Sequence, residues 1–124
     1  MKAPWKISLQ LYSSRYTFFI GNQYIYLYDT NMHKRKTYPL TDDWKLALTV
    51  FSQSENIKRH QDRILEVAME MFQSIDQFGS FSLHDYFNDD DLEDARKIIG
   101  DYEEFHAKER AANLKHRKKY KTKG

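Results

Sequence analysis

Six cations crowd nine positions near the end of the chain: Lys115, Arg117, Lys118, Lys119, Lys121 and Lys123, with Lys108 and Arg110 just upstream. Cations at this density neutralise phosphates, and binding through them weakens steeply as salt rises. Tyr120 lies among them and offers a ring for base stacking. A second basic group, Lys34, Arg35 and Lys36, lies in the first third of the chain. The C-terminal cations also have a plainer use, because Lys and Arg near a helix C-terminus complement its dipole. The sequence weighs the two uses about evenly.

Arg15, Phe19, Tyr24, Tyr26 and Tyr28 form the other set with a chemistry. They belong to the stretch RYTFFIGNQYIYLYD, residues 15–29, two alternating runs on either side of Gly21-Asn22. A two-residue Gly-Asn loop suits a primed hairpin turn. It predicts that Ile20 faces Gln23, Phe18 faces Ile25 and Tyr16 faces Leu27. Side chains alternate along a strand, so one face collects Tyr16, Phe18, Ile20, Ile25 and Leu27. The opposite face collects Arg15, Thr17, Phe19, Tyr24, Tyr26 and Tyr28. Rings and a cation on an open sheet hold single-stranded nucleic acid in several modules, by stacking rather than by reading base edges. Tyr is also simply a good strand residue for a half-wet face, and Tyr with Arg is the composition of protein-binding hot spots.

Other constellations lead nowhere catalytic. The run Asp89, Asp90, Asp91, Glu93 and Asp94 fits the first turn of a helix, where carboxylates meet open amides and the positive dipole end. It lacks the mid-loop Gly and closing Glu of a Ca²⁺ loop. His33, His60, His84, His106 and His116 include no pair with metal-helix spacing. His84-Asp85 resembles the dipeptide of metal-dependent phosphohydrolases, helical folds that draw further His and Asp ligands from other helices. Arg110 and His116, in RAANLKH, resemble the Arg and His signature of the helical HEPN ribonucleases, where both residues act on the scissile phosphate. That match spans seven residues of a chain that also carries a sheet, and no activity is carried over from it. Four Gly, at 21, 79, 100 and 124, build neither a phosphate loop nor a dinucleotide fingerprint. With no Cys there is no disulfide, thiolate metal site or Cys nucleophile. No cofactor and no metal are expected, and the chain reads as a non-enzyme.

The elements that must position these residues follow from periodicity. Trp5, Ile7, Leu9 and Leu11 alternate with polar residues and predict a first strand. The hairpin adds two strands, and Lys34 to Tyr38 a short basic edge strand ended by Pro39. Together they predict a four-stranded antiparallel meander over about residues 5–38. Thr41 caps a helix whose stripe is Trp44, Ala47, Leu48 and Phe51, with Asp42 and Asp43 in its first turn. From Glu55 to about Asp76, Ile57, Ile64, Ala68, Met71 and Ile75 line a second helix. Gly79 breaks it, and Phe81-Ser82 reads as a staple and cap for a short helical turn through Phe87. Asn88 caps a last, long helix on which Leu92, Ala95, Ile99, Tyr102 and Phe105 or His106 recur. Gly100 inside it costs about 1 kcal/mol against Ala and predicts a kink or close packing.

The fold class is therefore α+β: the meander, then three or four α-helices packed on one face. Residues 1–114 read as a single domain and 115–124 as a basic tail, frayed or disordered. At 124 residues the chain can bury a core without staples. No apolar run reaches membrane-span length, and the N-terminus lacks a secretory signal, so the expected setting is cytoplasmic. The net charge of +2 hides three zones. Residues 1–40 hold six Lys/Arg and one acid, 41–104 six and sixteen, and 105–124 eight and one. Basic ends favour an anionic partner that an acidic middle repels. The sequence supports a nucleic-acid-associated binding protein with DNA or RNA as partner. The alternative is a small phage- or mobile-element-type accessory protein that modulates or inhibits a host protein or nucleoprotein complex. It would do so through the Tyr face or the acidic helical stretch. Oligomeric state is not set by the sequence.

Overall fold

The computed structural model describes residues 3–6, 16–53 and 61–121, with side chains at these positions except 61, 62 and 115–121. The chain is α+β. Strands β1 (Tyr16–Ile20), β2 (Tyr24–Asp29) and β3 (Lys34–Pro39) form an antiparallel sheet in the order β1-β2-β3. Helices α1 (Asp42–Ser52), α2 (Gln61–Phe78) and α3 (Asp89–Lys121) follow, with a 3₁₀ turn over Leu83–Asp85. Among the described residues no helix is long and apolar enough to cross a membrane.

The sheet has three strands among the described residues, not the four expected. Pro4 and Trp5 lie in a turn closed by the Lys6 N–H donating to the Ala3 carbonyl at 3.0 Å. Trp5 is instead a core residue, its ring 5.1 Å edge-on from Tyr102 and under the Lys45 ammonium at 4.8 Å. The rest of the expected first strand, residues 7–11, falls outside the described residues.

The hairpin register also differs. Ile20 pairs with Ile25, Phe18 with Leu27 and Tyr16 with Asp29, two residues along from the expected pairing. The Gly21 N–H donates to the Tyr24 carbonyl at 2.8 Å, so Asn22-Gln23 forms the tip. It is not a primed turn, because the positive φ values among the described residues are those of His33 and Gly79. The observed register sets apolar Ile20 against apolar Ile25 on the buried side. A two-residue shift keeps every side chain on its face, so the division into two faces stands.

The buried face of the sheet meets α1 and α2 around the Phe72 ring. Phe72 lies 4.4 Å from Tyr38, 4.7 Å from Trp44 and 5.9 Å from Phe18, centroid to centroid. Ile25, Leu27, Leu48, Ala68 and Met71 complete this core. The Thr41 hydroxyl accepts from the Trp44 N–H at 3.3 Å and starts α1 as expected. Gly79, at φ 82°, ends α2 by donating its N–H to Ile75 at 2.8 Å, a left-handed cap that suits glycine. Ser82 makes no side-chain cap bond, contrary to expectation, and Phe81 packs 5.0 Å from Trp44 rather than stapling a helix start.

Asn88 caps α3, its Oδ1 accepting from the Asp91 N–H at 2.8 Å. The helix packs on α1 and buries Leu92 and Ala95. At 1.5 Å per residue its 33 residues span about 50 Å. From Ala107 to Leu114 every residue is exposed, so this part stands clear of the core. Helical backbone continues through Lys121, into the expected basic tail. Gly100 is not a close contact: a Cβ built there meets nothing within 4 Å.

Candidate functional site

Strand alternation sends Thr17 and Phe19 from β1, Tyr24, Tyr26 and Tyr28 from β2, and Arg35 and Thr37 from β3 to the side away from the helices. Phe19 is 48% and Tyr24 44% exposed. The central ring is Tyr26. Phe19 stacks on it from β1 at 4.9 Å and 22°, and the Arg35 guanidinium reaches it from β3 at 5.4 Å. Tyr24 lies beyond, 6.5 Å from Tyr26. Gly21 makes room for this arrangement, since a Cβ at that position would sit 2.9 Å from the Tyr26 ring edge. Tyr26 is thus a half-buried pillar, and Phe19 and Tyr24 are the open platforms beside it.

The electrostatics of this face are one-sided. Its strand positions carry Arg35 and no carboxylate. At the hairpin tip the Lys6 ammonium donates to Asn22 Oδ1 at 3.2 Å. At the opposite end the Tyr28 hydroxyl lies 3.4 Å from His33 Nδ1. The intervening turn is tied by the Asp29 carboxylate, which accepts from the N–H groups of Asn31 and Met32 at 3.0 and 3.2 Å. Arg15, expected at the end of this face, lies outside the described residues.

The other expected cations are not gathered with it. Lys34, Arg35 and Lys36 do not form one patch, because neighbours on a strand face opposite ways. Only Arg35 joins the tyrosines. Lys34 and Lys36 border a cleft of about 390 Å³ on the helix side, together with Asp29, Tyr38 and Asp76. There Lys36 Nζ meets Asp76 Oδ2 at 2.9 Å, and the Tyr38 hydroxyl donates to the same carboxylate at 3.2 Å. The hydrogen bond to Asp76 holds the Lys36 ammonium above the ordinary lysine range. Burial, with the Asp76 charge adding to it, pushes the Tyr38 phenol up. Two carboxylates make this cleft a poor phosphate site. Asp76 was not legible as a partner for Lys36, since nothing in a sequence pairs positions 40 apart.

On α3, Lys108 lies 3.2 Å from Glu104 one turn back, and Arg110 is exposed. Lys115, Arg117, Lys118, Lys119 and Lys121 continue the helical backbone, while Lys123 lies outside the described residues. No described contact joins this basic end to the Tyr face. His84 Nδ1 lies 3.0 Å from Asp89 Oδ1. Among the described residues no three His, Asp or Glu come together in a way that could hold a metal ion. The arrangement is suited to stacking and phosphate contact. No protein-family model, curated protein or solved structure matches the chain.

Proposed function

We propose that this protein is a non-enzymatic binder of single-stranded nucleic acid, with the open sheet face as platform and the basic end of α3 as a source of phosphate contacts. The observation that carries this reading is the exposed pair Phe19 and Tyr24 flanking Tyr26 beside Arg35, on strand positions free of carboxylates. Bases from a single strand stack on open rings without regard to sequence, and each such contact is worth about 1–3 kcal/mol. A duplex keeps its bases stacked inside and offers this face nothing but its backbone. Single-strand preference therefore follows from the rings, and salt dependence from Arg35, Lys108, Arg110 and the lysines beyond them.

The test is a fluorescence-anisotropy titration of the full chain with a labelled mixed-sequence single strand and its duplex, at about 50 and 200 mM salt. Tighter binding to the single strand, weakening steeply with salt, is expected. Phe19→Ala and Tyr24→Ala each lower that affinity by roughly tenfold, the scale of one stacked base. Truncation after Leu114 reduces the salt slope. Absence of binding at the lower salt overturns the reading. It then favours a protein partner for the same rings, which match the composition of interface hot spots.

A further inference from the structure

The side of α3 next to its buried stripe carries a second pattern. Asp91, Asp94, Ile98, Asp101, Phe105, Lys108 and Ala112 recur at alternating spacings of three and four, and the same spacing in the sequence runs on through Lys115 and Lys119. These positions share one side of the helix, a mostly charged seam with Ile98, Phe105 and Ala112 as its apolar members. Ile98 is half-buried and the other described members are exposed, Phe105 at 46%. Charge inverts along the seam: every ionised member before Phe105 is an aspartate and every one after it a lysine. The whole helix follows suit, with eight acids and two Lys/Arg over 89–106 and one acid and seven Lys/Arg over 107–121.

Phe105 is the midpoint of Asp89–Lys121. Two copies of α3 laid antiparallel about that residue therefore place Phe105 beside its mate. Ile98 falls opposite Ala112 and Asp91 opposite Lys119, while Asp94 and Asp101 come within one residue of Lys115 and Lys108. A parallel pair would set like charges together throughout. We infer that α3 is a self-complementary docking surface, and that its occupant is the antiparallel α3 of a second copy of this chain.

A groove receives the basic half. Val50 and Gln53 at the end of α1 line an open cleft of about 670 Å³ with Asp91, Asp94, Lys97 and Ile98 of α3. The last turn of α1 carries no basic residue, so its negative dipole end is uncompensated by its own side chains. Asp94 and Asp101 make no ion pair among the described residues. Lys97 is the one cation on the cleft wall among the described residues, and Lys108 holds Glu104 until the partner's Asp101 arrives. The dipole alone would account for acids in the first turn and cations in the last. It does not account for the midpoint aromatic or for Asp101 three turns into the helix. The seam employs Lys108, Lys115 and Lys119 and leaves Arg110, Arg117, Lys118 and Lys121 off it. The inference does not rest on the oligonucleotide reading, although Lys108, Lys115 and Lys119 serve in both.

Sedimentation velocity on the full chain tests it, with circular dichroism to verify folding. The expected species at low salt has twice the 15.0 kDa chain mass. Its dissociation constant rises on the order of tenfold at high salt as the paired charges are screened. Asp94→Lys with Asp101→Lys leaves Asp91 as the one acid on the seam, and Lys108→Glu with Lys115→Glu leaves Lys119 as its one cation. Each folded variant is expected to be monomeric alone, and a one-to-one mixture to restore the dimer. Phe105→Asp, at an exposed site, abolishes association with the fold retained. A monomeric wild type at low salt overturns the inference. So does a dimer that survives either reversal, or a mixture that stays monomeric.

Discussion

Lys36 Nζ and Asp76 Oδ2 lie 2.9 Å apart, and this contact ties the edge strand of the sheet to the last turns of α2. The Tyr38 hydroxyl shares the carboxylate, so one acid organises two side chains from the same face of β3. Pinning Lys36 and Tyr38 on the helix side fixes the strand's alternation. It is therefore also what presents Arg35 to the Tyr26 ring on the other side.

Replacing Asp76 tests that anchor. Asp76→Ala leaves the part-buried Tyr38 hydroxyl without its acceptor and costs about 1–2 kcal/mol. Asp76→Asn keeps an acceptor and loses only the partly exposed charge pair, for well under about 1 kcal/mol. The pH dependence has a definite sign. Both Lys36 and Tyr38 have folded-state pKa values raised above their ordinary ones. The stability linked to them is thus complete below about pH 10 and is lost as pH rises through the raised values. Urea unfolding at about pH 8 and above pH 10 should show the wild type losing more stability than Asp76→Asn.

Gly100 is the simplest site at which to add stability. It sits inside a continuous helix, is exposed, and has open space where a Cβ would go. Gly100→Ala should raise the unfolding free energy by up to about 1 kcal/mol, read as a higher denaturation midpoint with an unchanged m-value.

Phe72 is the site at which stability is most easily lost. Its ring touches the sheet through Phe18 and Tyr38 and touches α1 through Trp44. Phe72→Ala opens a cavity at a point shared by sheet, α1 and α2, and should cost about 3–5 kcal/mol by urea denaturation. Phe105→Ala, at an exposed ring on the same scale of volume, should change the stability of the monomer by less than about 0.5 kcal/mol.

The helices and the two sheet faces were legible because periodicity reports them directly. Thr41 and Asn88 cap as their types suggest, and Trp44, Ala47, Leu48, Leu92 and Ala95 are buried at the expected spacing. The hairpin register was not legible. Gly21-Asn22 has the composition of a primed turn, yet Gly21 is small because the Tyr26 ring lies over it, not because its φ is positive. Trp5 was not legible either: it lies in a turn, and its ring belongs to a contact with Tyr102, nearly a hundred residues on. The division of Lys34, Arg35 and Lys36 between two faces was present in the sequence all along, since a strand's period of two forbids three consecutive residues from sharing a side.

Gly21→Ala separates the shape of the aromatic face from the stability of the fold. The added methyl would lie 2.9 Å from the Tyr26 ring edge, so the ring has to move. It is the ring that moves, because the backbone at Gly21 has no positive φ to strain. Moving Tyr26 breaks its stacking on Phe19 at 4.9 Å and withdraws it from Arg35. The stability cost should stay below about 1 kcal/mol, since the stacking and the cation–π interaction both lie at the surface. Single-strand affinity should fall several-fold, because Phe19 and Tyr24 lose the pillar that holds their rings open. A variant that folds normally and binds the labelled strand like the wild type would show that Tyr26 does not set the platform. Binding would then rest on the cations alone.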